Sequence, residues 1–80
     1  MTVAVIGAGI IGSAIVKSLL QSGYKGKIIA TRRRLEAIRN FEKLGVDITD
    51  DNKKAAKEAD IIVLCVKPKD IEKVLEEIQN

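Results

Sequence analysis

The chain has 80 residues, with 14 lysines and arginines against 11 aspartates and glutamates, for a formal net charge of +3. This length suits one domain, and the absence of histidine together with a single cysteine excludes an internal disulfide, imidazole catalysis and the common zinc sites. Only 2% of residues are aromatic and the lysines are spread along predicted helices, so nucleic-acid binding is disfavoured and a small anionic ligand is favoured.

Residues 2–12 combine a short apolar strand, a glycine-rich loop and the start of a helix. The loop Gly7-Ala8-Gly9-Ile10-Ile11-Gly12 has the spacing G-x-G-x-x-G. In dinucleotide-binding folds the first glycine permits a tight turn, the second lets a pyrophosphate approach the backbone, and the third lets the helix pack on the strand. The start of the helix adds free N–H groups and the positive end of its dipole. The pattern therefore predicts a dinucleotide phosphate site.

Strands and helices are predicted to alternate through the first half of the chain. The first helix ends at Gly23, and its spacing predicts an inward face of Ile11, Ala14, Ile15, Ser18, Leu19 and Ser22. Residues 27–31 form the second strand. The second helix ends at Gly45, and its predicted inward residues are Leu35, Ile38, Phe41 and Leu44.

The alternation continues in the second half. Residues 46–48 predict a third strand, and Asp50 or Asp51 caps a helix that reaches about residue 59. The unbroken apolar run at residues 60–66 predicts a central strand that lies beside the first strand and is covered on both faces. Lys67-Pro68 ends this strand. A last helix starts at Asp70, and its predicted inward residues are Ile71, Val74, Leu75 and Ile78.

This alternation predicts an α/β fold. Because crossovers between parallel strands are right-handed, the expected strand order is 3-2-1-4, a Rossmann-like sheet with helices on both faces and truncated relative to a full dinucleotide-binding fold. The order reverses between strands one and four, and such a switch point is where ligands bind. The glycine loop, the end of strand two and Lys67-Pro68 all meet at this edge.

The residues that follow the second strand indicate which dinucleotide is bound. NAD-binding folds place a carboxylate there, whereas this chain has Thr31 followed by Arg32, Arg33 and Arg34. Guanidinium groups suit a 2′-phosphate, so NADP is favoured over NAD, with Arg32 as the first ligand, Arg33 as the second and Arg34 at the surface. The alternative is three solvated arginines, although the start of a helix is an unfavourable place for them.

Three segments resemble the N-terminal domain of pyrroline-5-carboxylate reductase: the glycine loop, residues 45–52, and residues 59–68. The resemblance spans essentially all 80 residues but only the cofactor half of that family's protein. It implies that Asn52 contacts the adenosine ribose-phosphate, although Asn52 is equally typical of a turn or a helix cap. It also implies that four consecutive residues lie along the cofactor and lead toward its nicotinamide: Cys65, Val66, Lys67 and Pro68.

The resemblance further implies reduction of a cyclic imine to proline by hydride from NADPH, with the substrate pocket and the dimer interface on a helical C-terminal domain. That domain is not in these 80 residues, so we expect no turnover by the chain alone and assign no catalytic residue or metal site. A lysine placed like Lys67 is more often structural or exposed than an acid catalyst. Cys65, inside an apolar strand, is more typical of a small core residue.

Other functions remain open. Many pyrroline-5-carboxylate reductases carry Asn-Met where this chain has Ile10-Ile11. Related loops occur in deazaflavin-dependent NADP reductases, imine reductases and 3-hydroxyacid dehydrogenases. A nucleotide-sensing module, similar to the NAD-binding domains that gate potassium transport, is the alternative of a different class. Such modules usually keep the acidic residue that arginines replace here, so the enzyme is favoured.

Location, source and assembly can also be predicted. The chain has no charged leader and no bilayer-length apolar run, which predicts a cytoplasmic protein without a membrane partner. Abundant lysine, glutamate and isoleucine with scarce histidine and methionine predict a thermophilic source. An open sheet edge beside the fourth strand predicts self-association.

Overall fold

The computed structural model describes residues 1–79 and contains one parallel sheet. Its strands are β1 (Val3–Ile6), β2 (Ile28–Thr31), β3 (Asp47–Thr49) and β4 (Ile61–Leu64). They pair in the order β3-β2-β1-β4, with Ile6 level with Thr31 on one side and with Leu64 on the other. The predicted order and the switch point between β1 and β4 are confirmed.

The helices are α1 (Ile10–Gln21), α2 (Arg39–Glu42), α3 (Asn52–Glu58) and α4 (Ile71–Gln79). A 3-10 turn at Leu35–Ile38 precedes α2, and another at Pro68–Asp70 precedes α4, so both helices begin later than predicted. Asp51 is the N-cap of α3, because its Oδ1 accepts the Lys54 N–H at 3.0 Å. Of the two predicted caps, the structure selects Asp51.

Both faces of the sheet are covered by helices, as predicted. On one face Val3 and Val5 pack with Val16 of α1 and with Ile38 and Phe41 around α2. On the other face, Ala4 and Ile29 pack against Ala55 of α3. Neighbouring residues of β1 point in opposite directions, so its unbroken burial requires both layers.

The inward side of α1 differs from the prediction. Gly12 and Val16 are buried, whereas Ile11 is 71% exposed and Ile10 is 92% exposed. Of the other predicted residues, Ile15 and Leu19 are half-buried, and Ala14, Ser18 and Ser22 are exposed. Apolar residues cover most sides of this helix, so spacing alone could not choose one stripe. The sheet packs against the side of α1 that contains Gly12, where the helix backbone can approach the sheet most closely.

The prediction for β4 was also wrong in one respect. β4 does lie beside β1, but Ile61 is 45% exposed and Ile62 is 38% exposed. Within residues 1–79 no strand pairs with its outer edge, so the open edge is as predicted and only the expected cover on both faces of β4 was wrong. No helix in this part of the chain is long and apolar enough to cross a bilayer.

Smaller differences between the predicted and the observed structure occur near β3. This strand runs from Asp47 to Thr49, one residue later than predicted, and Val46 is buried just before it. Leu44, predicted to face inward, is 59% exposed because the chain leaves the helix beyond Phe41. Gly45 follows with a φ of +89°, a conformation that favours glycine.

Candidate functional site

A cleft of about 900 Å³ opens at the carboxyl edge of the sheet, at the switch point between β1 and β4. The segments that follow all four strands contribute to it, together with one side of α4. The lining residues are Gly7, Gly9, Thr31, Arg32, Arg33, Arg34, Asp50, Asn52, Cys65, Val66, Lys67, Lys69, Asp70, Lys73, Val74 and Glu77.

Two glycines of the loop are required by the fold itself. Gly7 has a φ of +87°, and a Cβ there would lie 2.8 Å from Val66 Cγ1. A Cβ on Gly12 would lie 2.7 Å from the Gly7 carbonyl oxygen. These contacts are too short for a side chain, so both residues let the loop, α1 and the end of β4 pack together.

Gly9 is different, because its surroundings leave room for a side chain. Apart from Gly9 and its two chain neighbours, no protein atom lies within 4 Å of the position that a Cβ would take, and φ is −79°. Gly9 lines the cleft and is the N-cap of α1. The open space next to its backbone is therefore available to a ligand, at the end of the helix that favours negative charge.

Thr31 holds the glycine loop against the end of β2. It is 1% exposed; its Oγ1 accepts the Gly7 N–H at 3.2 Å, and its carbonyl oxygen accepts the Ala8 N–H at 2.7 Å. The side-chain oxygen thus satisfies a backbone donor at the tightest point of the turn. Thr31 lines the cleft mainly as a support for the loop.

We expect Thr31→Val to reduce the free energy of unfolding by about 1 to 3 kcal/mol, because it leaves the Gly7 N–H without its acceptor while keeping the size of the side chain. Urea unfolding followed by circular dichroism measures the change. Thr49→Val, at the equivalent level of β3, is the control, because its Oγ1 accepts the exposed Asp51 N–H at 3.1 Å and water can replace that bond. A smaller loss is therefore expected there, and an equal loss would mean that the Gly7 contact is not special.

Arg32 extends from the end of β2 toward the glycine loop. Its Nη1 donates to the Ala8 carbonyl oxygen at 3.3 Å, and its backbone N–H donates to the Thr49 carbonyl oxygen at 3.2 Å. Arg33 and Arg34 are exposed, and both line the same cleft. Arg34, predicted at the surface, is exposed as expected but also faces the cleft, because its extended backbone precedes the 3-10 turn.

The charges around the cleft favour an anion. Six of its lining residues are basic: Arg32, Arg33, Arg34, Lys67, Lys69 and Lys73. Three are acidic: Asp50, Asp70 and Glu77. The excess of positive charge lies where the helix dipole of α1 also attracts negative groups, so the two effects add.

Asn52 joins α3 to α4 across the cleft. Its Nδ2 donates to Glu77 Oε2 at 3.1 Å, and Asn52 is the first residue of α3 rather than its cap. The helix-cap alternative is therefore wrong, since Asp51 performs that role. Nδ2 donates to Glu77, and among residues 1–79 no donor contacts the amide oxygen of Asn52, which can therefore accept a hydrogen bond.

The segment after β4 forms the remaining wall. The Cys65 N–H donates to the Ile6 carbonyl oxygen at 2.8 Å and extends the pairing with β1, and Cys65, Val66 and Lys67 line the cleft. Burial raises the pKa of the Cys65 thiol above its usual value, so this thiol is neutral at physiological pH. Lys67 is exposed.

Five predicted residues do not line the cleft. Ala8 is fully buried and Gly12 is buried beneath the loop, so they support it from below. Ile10 and Ile11 point outward from the first turn of α1, and Pro68 is exposed at the start of its 3-10 turn. Their side chains are not part of the cleft wall, although their backbone belongs to the predicted loop.

The sequence did not predict the contribution of α4. Lys73, Val74 and Glu77 of α4 line the cleft, as do Lys69 and Asp70 of the preceding 3-10 turn and Asp50. The spacing of three and four residues puts the α4 residues on one side of the helix. Nothing in the sequence indicated that this side faces the site, since that depends on how α4 packs against α3.

A family comparison agrees with this geometry. The family described as "NADP oxidoreductase coenzyme F420-dependent" matches residues 2–80. The chain belongs to this family.

Known proteins similar to this member of the NADP oxidoreductase family include a pyrroline-5-carboxylate reductase from Corynebacterium melassecola. It is 44% identical over 80 residues, which cover 96% of this chain and 29% of that protein. The resemblance to pyrroline-5-carboxylate reductases predicted from the sequence is confirmed. The chain spans less than a third of this relative's length.

Two solved structures share the fold. An imine reductase from Myxococcus stipitatus in complex with NADP+ has a TM-score of 0.84 and 34% identity, covering 98% of this chain and 27% of that one. A prephenate dehydrogenase from A. aeolicus in complex with hydroxyphenyl propionate and NAD+ has a TM-score of 0.83 and 26% identity, covering 98% and 28%. The predicted Rossmann-like fold class is confirmed.

Proposed function

We propose that this member of the NADP oxidoreductase family binds NADP(H) in the cleft, as the cofactor-binding domain of a pyrroline-5-carboxylate reductase-like enzyme. The observation that carries the proposal is that one cleft contains both Gly9, with open space beside its backbone, and the Arg32 guanidinium. These two features match the pyrophosphate and the 2′-phosphate of NADP, which are its most highly charged groups.

Each residue then has a proposed task. Residues 7–12 hold the pyrophosphate through their backbone, with Ala8, Ile10, Ile11 and Gly12 shaping the loop around Gly9. Arg32 and Arg33 bind the 2′-phosphate, and Thr31 supports the loop. The free amide oxygen of Asn52 accepts from the adenosine ribose. Residues 65–68 pass along the cofactor toward the nicotinamide.

The cofactor supplies the chemistry when bound, which is hydride transfer from the reduced nicotinamide to the carbon of a cyclic imine. The chain's own residues bind and orient the cofactor. The neutral thiol of Cys65 and the side chain of Val66 provide an uncharged wall near the nicotinamide end of the cleft. We assign no catalytic residue. We propose that the substrate is held by a further domain, corresponding to the remaining length of the relatives, and that the 80 residues alone have no turnover.

The second candidate function is the activity of a related NADP-dependent reductase. The family description favours reductases that use a deazaflavin with NADP, and the solved imine reductase shares the fold over 98% of this chain. The 3-hydroxyacid dehydrogenase alternative stays a prediction from the loop sequence. A regulatory nucleotide sensor is less favoured because arginines stand where such modules keep a carboxylate. A cytoplasmic location and a thermophilic source stay predictions from composition.

Calorimetric titration of the 80-residue chain with NADPH and NADH, side by side, tests the proposal. We expect binding of both nucleotides, with NADPH preferred. Absence of heat with either nucleotide, from protein whose circular dichroism shows the folded state, would contradict the proposal.

We also propose that two copies of the chain associate through the outer edge of β4. The unpaired backbone and the exposed Ile61 and Ile62 support this arrangement. Sedimentation velocity is expected to show a dimer that Ile62→Lys converts to a monomer, whereas Lys17→Glu on the exposed surface of α1 leaves it intact. A monomer at high concentration would contradict this proposal.

A further inference from the structure

We infer that Asp50 determines how strongly the cleft distinguishes NADPH from NADH, and that it gives NADH a usable, weaker site. This inference rests on the proposed function, because it needs a nicotinamide dinucleotide in the cleft. The carboxylate that NAD-binding folds place at the end of the second strand is absent here, but the structure places one beside that position, at the end of the neighbouring strand β3.

The register of the sheet brings Asp50 close to the arginines. Thr31 of β2 is level with Thr49 of β3, so Arg32 and Asp50 are the next residues on two adjacent parallel strands. The bond from the Arg32 N–H to the Thr49 carbonyl oxygen continues this register beyond β2. Asp50 also lines both the main cleft and a neighbouring hollow, in each case with Arg33 and Arg34.

Asp50 has no structural task that would explain a carboxylate. It is exposed, and within residues 1–79 its side chain has no hydrogen bond and no cation within 4.0 Å. The next residue, Asp51, carries the same charge but caps α3 by accepting the Lys54 N–H at 3.0 Å. The two neighbouring carboxylates therefore have different roles, and only Asp50 lines the cleft.

A carboxylate at this position acts differently on the two cofactors. It can accept the hydroxyl hydrogen of an unphosphorylated adenosine ribose, which is how NAD-binding folds recognise that ribose. It repels a 2′-phosphate, and it weakens the positive field of Arg32, Arg33 and Arg34. Asp50 thus lowers affinity for NADPH and raises affinity for NADH, so the arginines favour NADPH without excluding NADH.

The test compares Asp50→Asn with the matched control Asp51→Asn by calorimetric titration with NADPH and with NADH. Because Asp50 is exposed, we expect Asp50→Asn to raise the ratio of NADPH to NADH affinity by about threefold to tenfold. Asp51→Asn removes the same charge one residue away and keeps a good helix cap, so the ratio is expected to change by less than about twofold. Asp50→Ser is a second variant that also removes the carboxylate.

Two other outcomes of this titration are informative, because one contradicts the role of Asp50 and the other contradicts the proposed function. An unchanged ratio in Asp50→Asn and Asp50→Ser, or an equal shift in Asp51→Asn, would overturn the role of Asp50 and leave NADP binding in place. No binding of either nucleotide by the folded, unsubstituted chain would overturn the proposed function, and the role of Asp50 with it.

Discussion

Arg32→Asp is expected to weaken NADPH binding about 100-fold, and to leave NADH binding within a few-fold of its original value. The substitution removes a charge-assisted hydrogen bond worth about 1.5 to 3 kcal/mol and places a negative charge beside the 2′-phosphate. NADH has no phosphate at that position, so it loses little. Calorimetric titration with both nucleotides measures the two effects separately.

Arg32 is expected to dominate its neighbours because it is the anchored arginine of the three. Its guanidinium is held by the Ala8 carbonyl oxygen at 3.3 Å, so less side-chain freedom is lost when it meets a phosphate. Arg33 and Arg34 are exposed, and ordering them costs more. Substituting either of these is expected to have a smaller effect than substituting Arg32.

Lys17→Glu is the matched control for the change of charge. Lys17 is exposed on α1 and is outside the cleft lining. The same change of charge there is expected to alter NADPH affinity by less than about twofold, since exposed charges are screened by solvent and salt. A loss as large as that of Arg32→Asp would show that net charge, rather than a contact at the end of β2, determines affinity.

Gly9→Ala is expected to weaken NADPH binding by a factor of about 100 or more. The same substitution is expected to change the free energy of unfolding by no more than about 1 kcal/mol. Apart from Gly9 and its two chain neighbours, nothing in the protein lies within 4 Å of the added Cβ, so the fold tolerates it. The methyl group would stand in the space proposed for the pyrophosphate. Nucleotide titration and urea unfolding on the same preparation separate the two quantities.

Gly12→Ala provides the contrast within the same loop. Its Cβ would lie 2.7 Å from the Gly7 carbonyl oxygen, so we expect a loss of about 1 to 3 kcal/mol in stability from overpacking. If folded Gly9→Ala binds NADPH as tightly as before, then Gly9 is not placed against a phosphate. Unfolding of Gly9→Ala would contradict the expected tolerance of the fold at this position.

Much of the site followed from short-range sequence signals. The G-x-G-x-x-G spacing specifies a strand-to-helix turn whose geometry is local, and the three arginines come directly after β2. Strand order also followed, because right-handed crossovers leave few alternatives once strands and helices alternate. These features depend on residues near each other in the chain, and for that reason they could be predicted.

The errors arose where the buried face of an element had to be chosen. Ile11 was expected to face inward, but α1 is apolar on most sides and the sheet packs against the stripe with Gly12 and Val16. The run in β4 has the composition of a strand covered on both faces, yet Ile61 and Ile62 are exposed, because such cover depends on which elements pack against the strand. Periodicity describes a single element, so it contains no information about that element's partners.

By itself, the sequence determined the glycine-rich turn between β1 and α1, the presence of arginines rather than a carboxylate after β2, and the alternation that leads to a Rossmann-like sheet. Only the tertiary structure decided that Asp50 lies beside Arg32, that Glu77 of α4 holds Asn52, and that Gly9 alone among the loop glycines has open space beside it. The features that the sequence determined depend on local backbone geometry and on the order of residues along the chain. Those that only the tertiary structure decided depend on strand register and helix packing, which bring together residues that are distant in the chain.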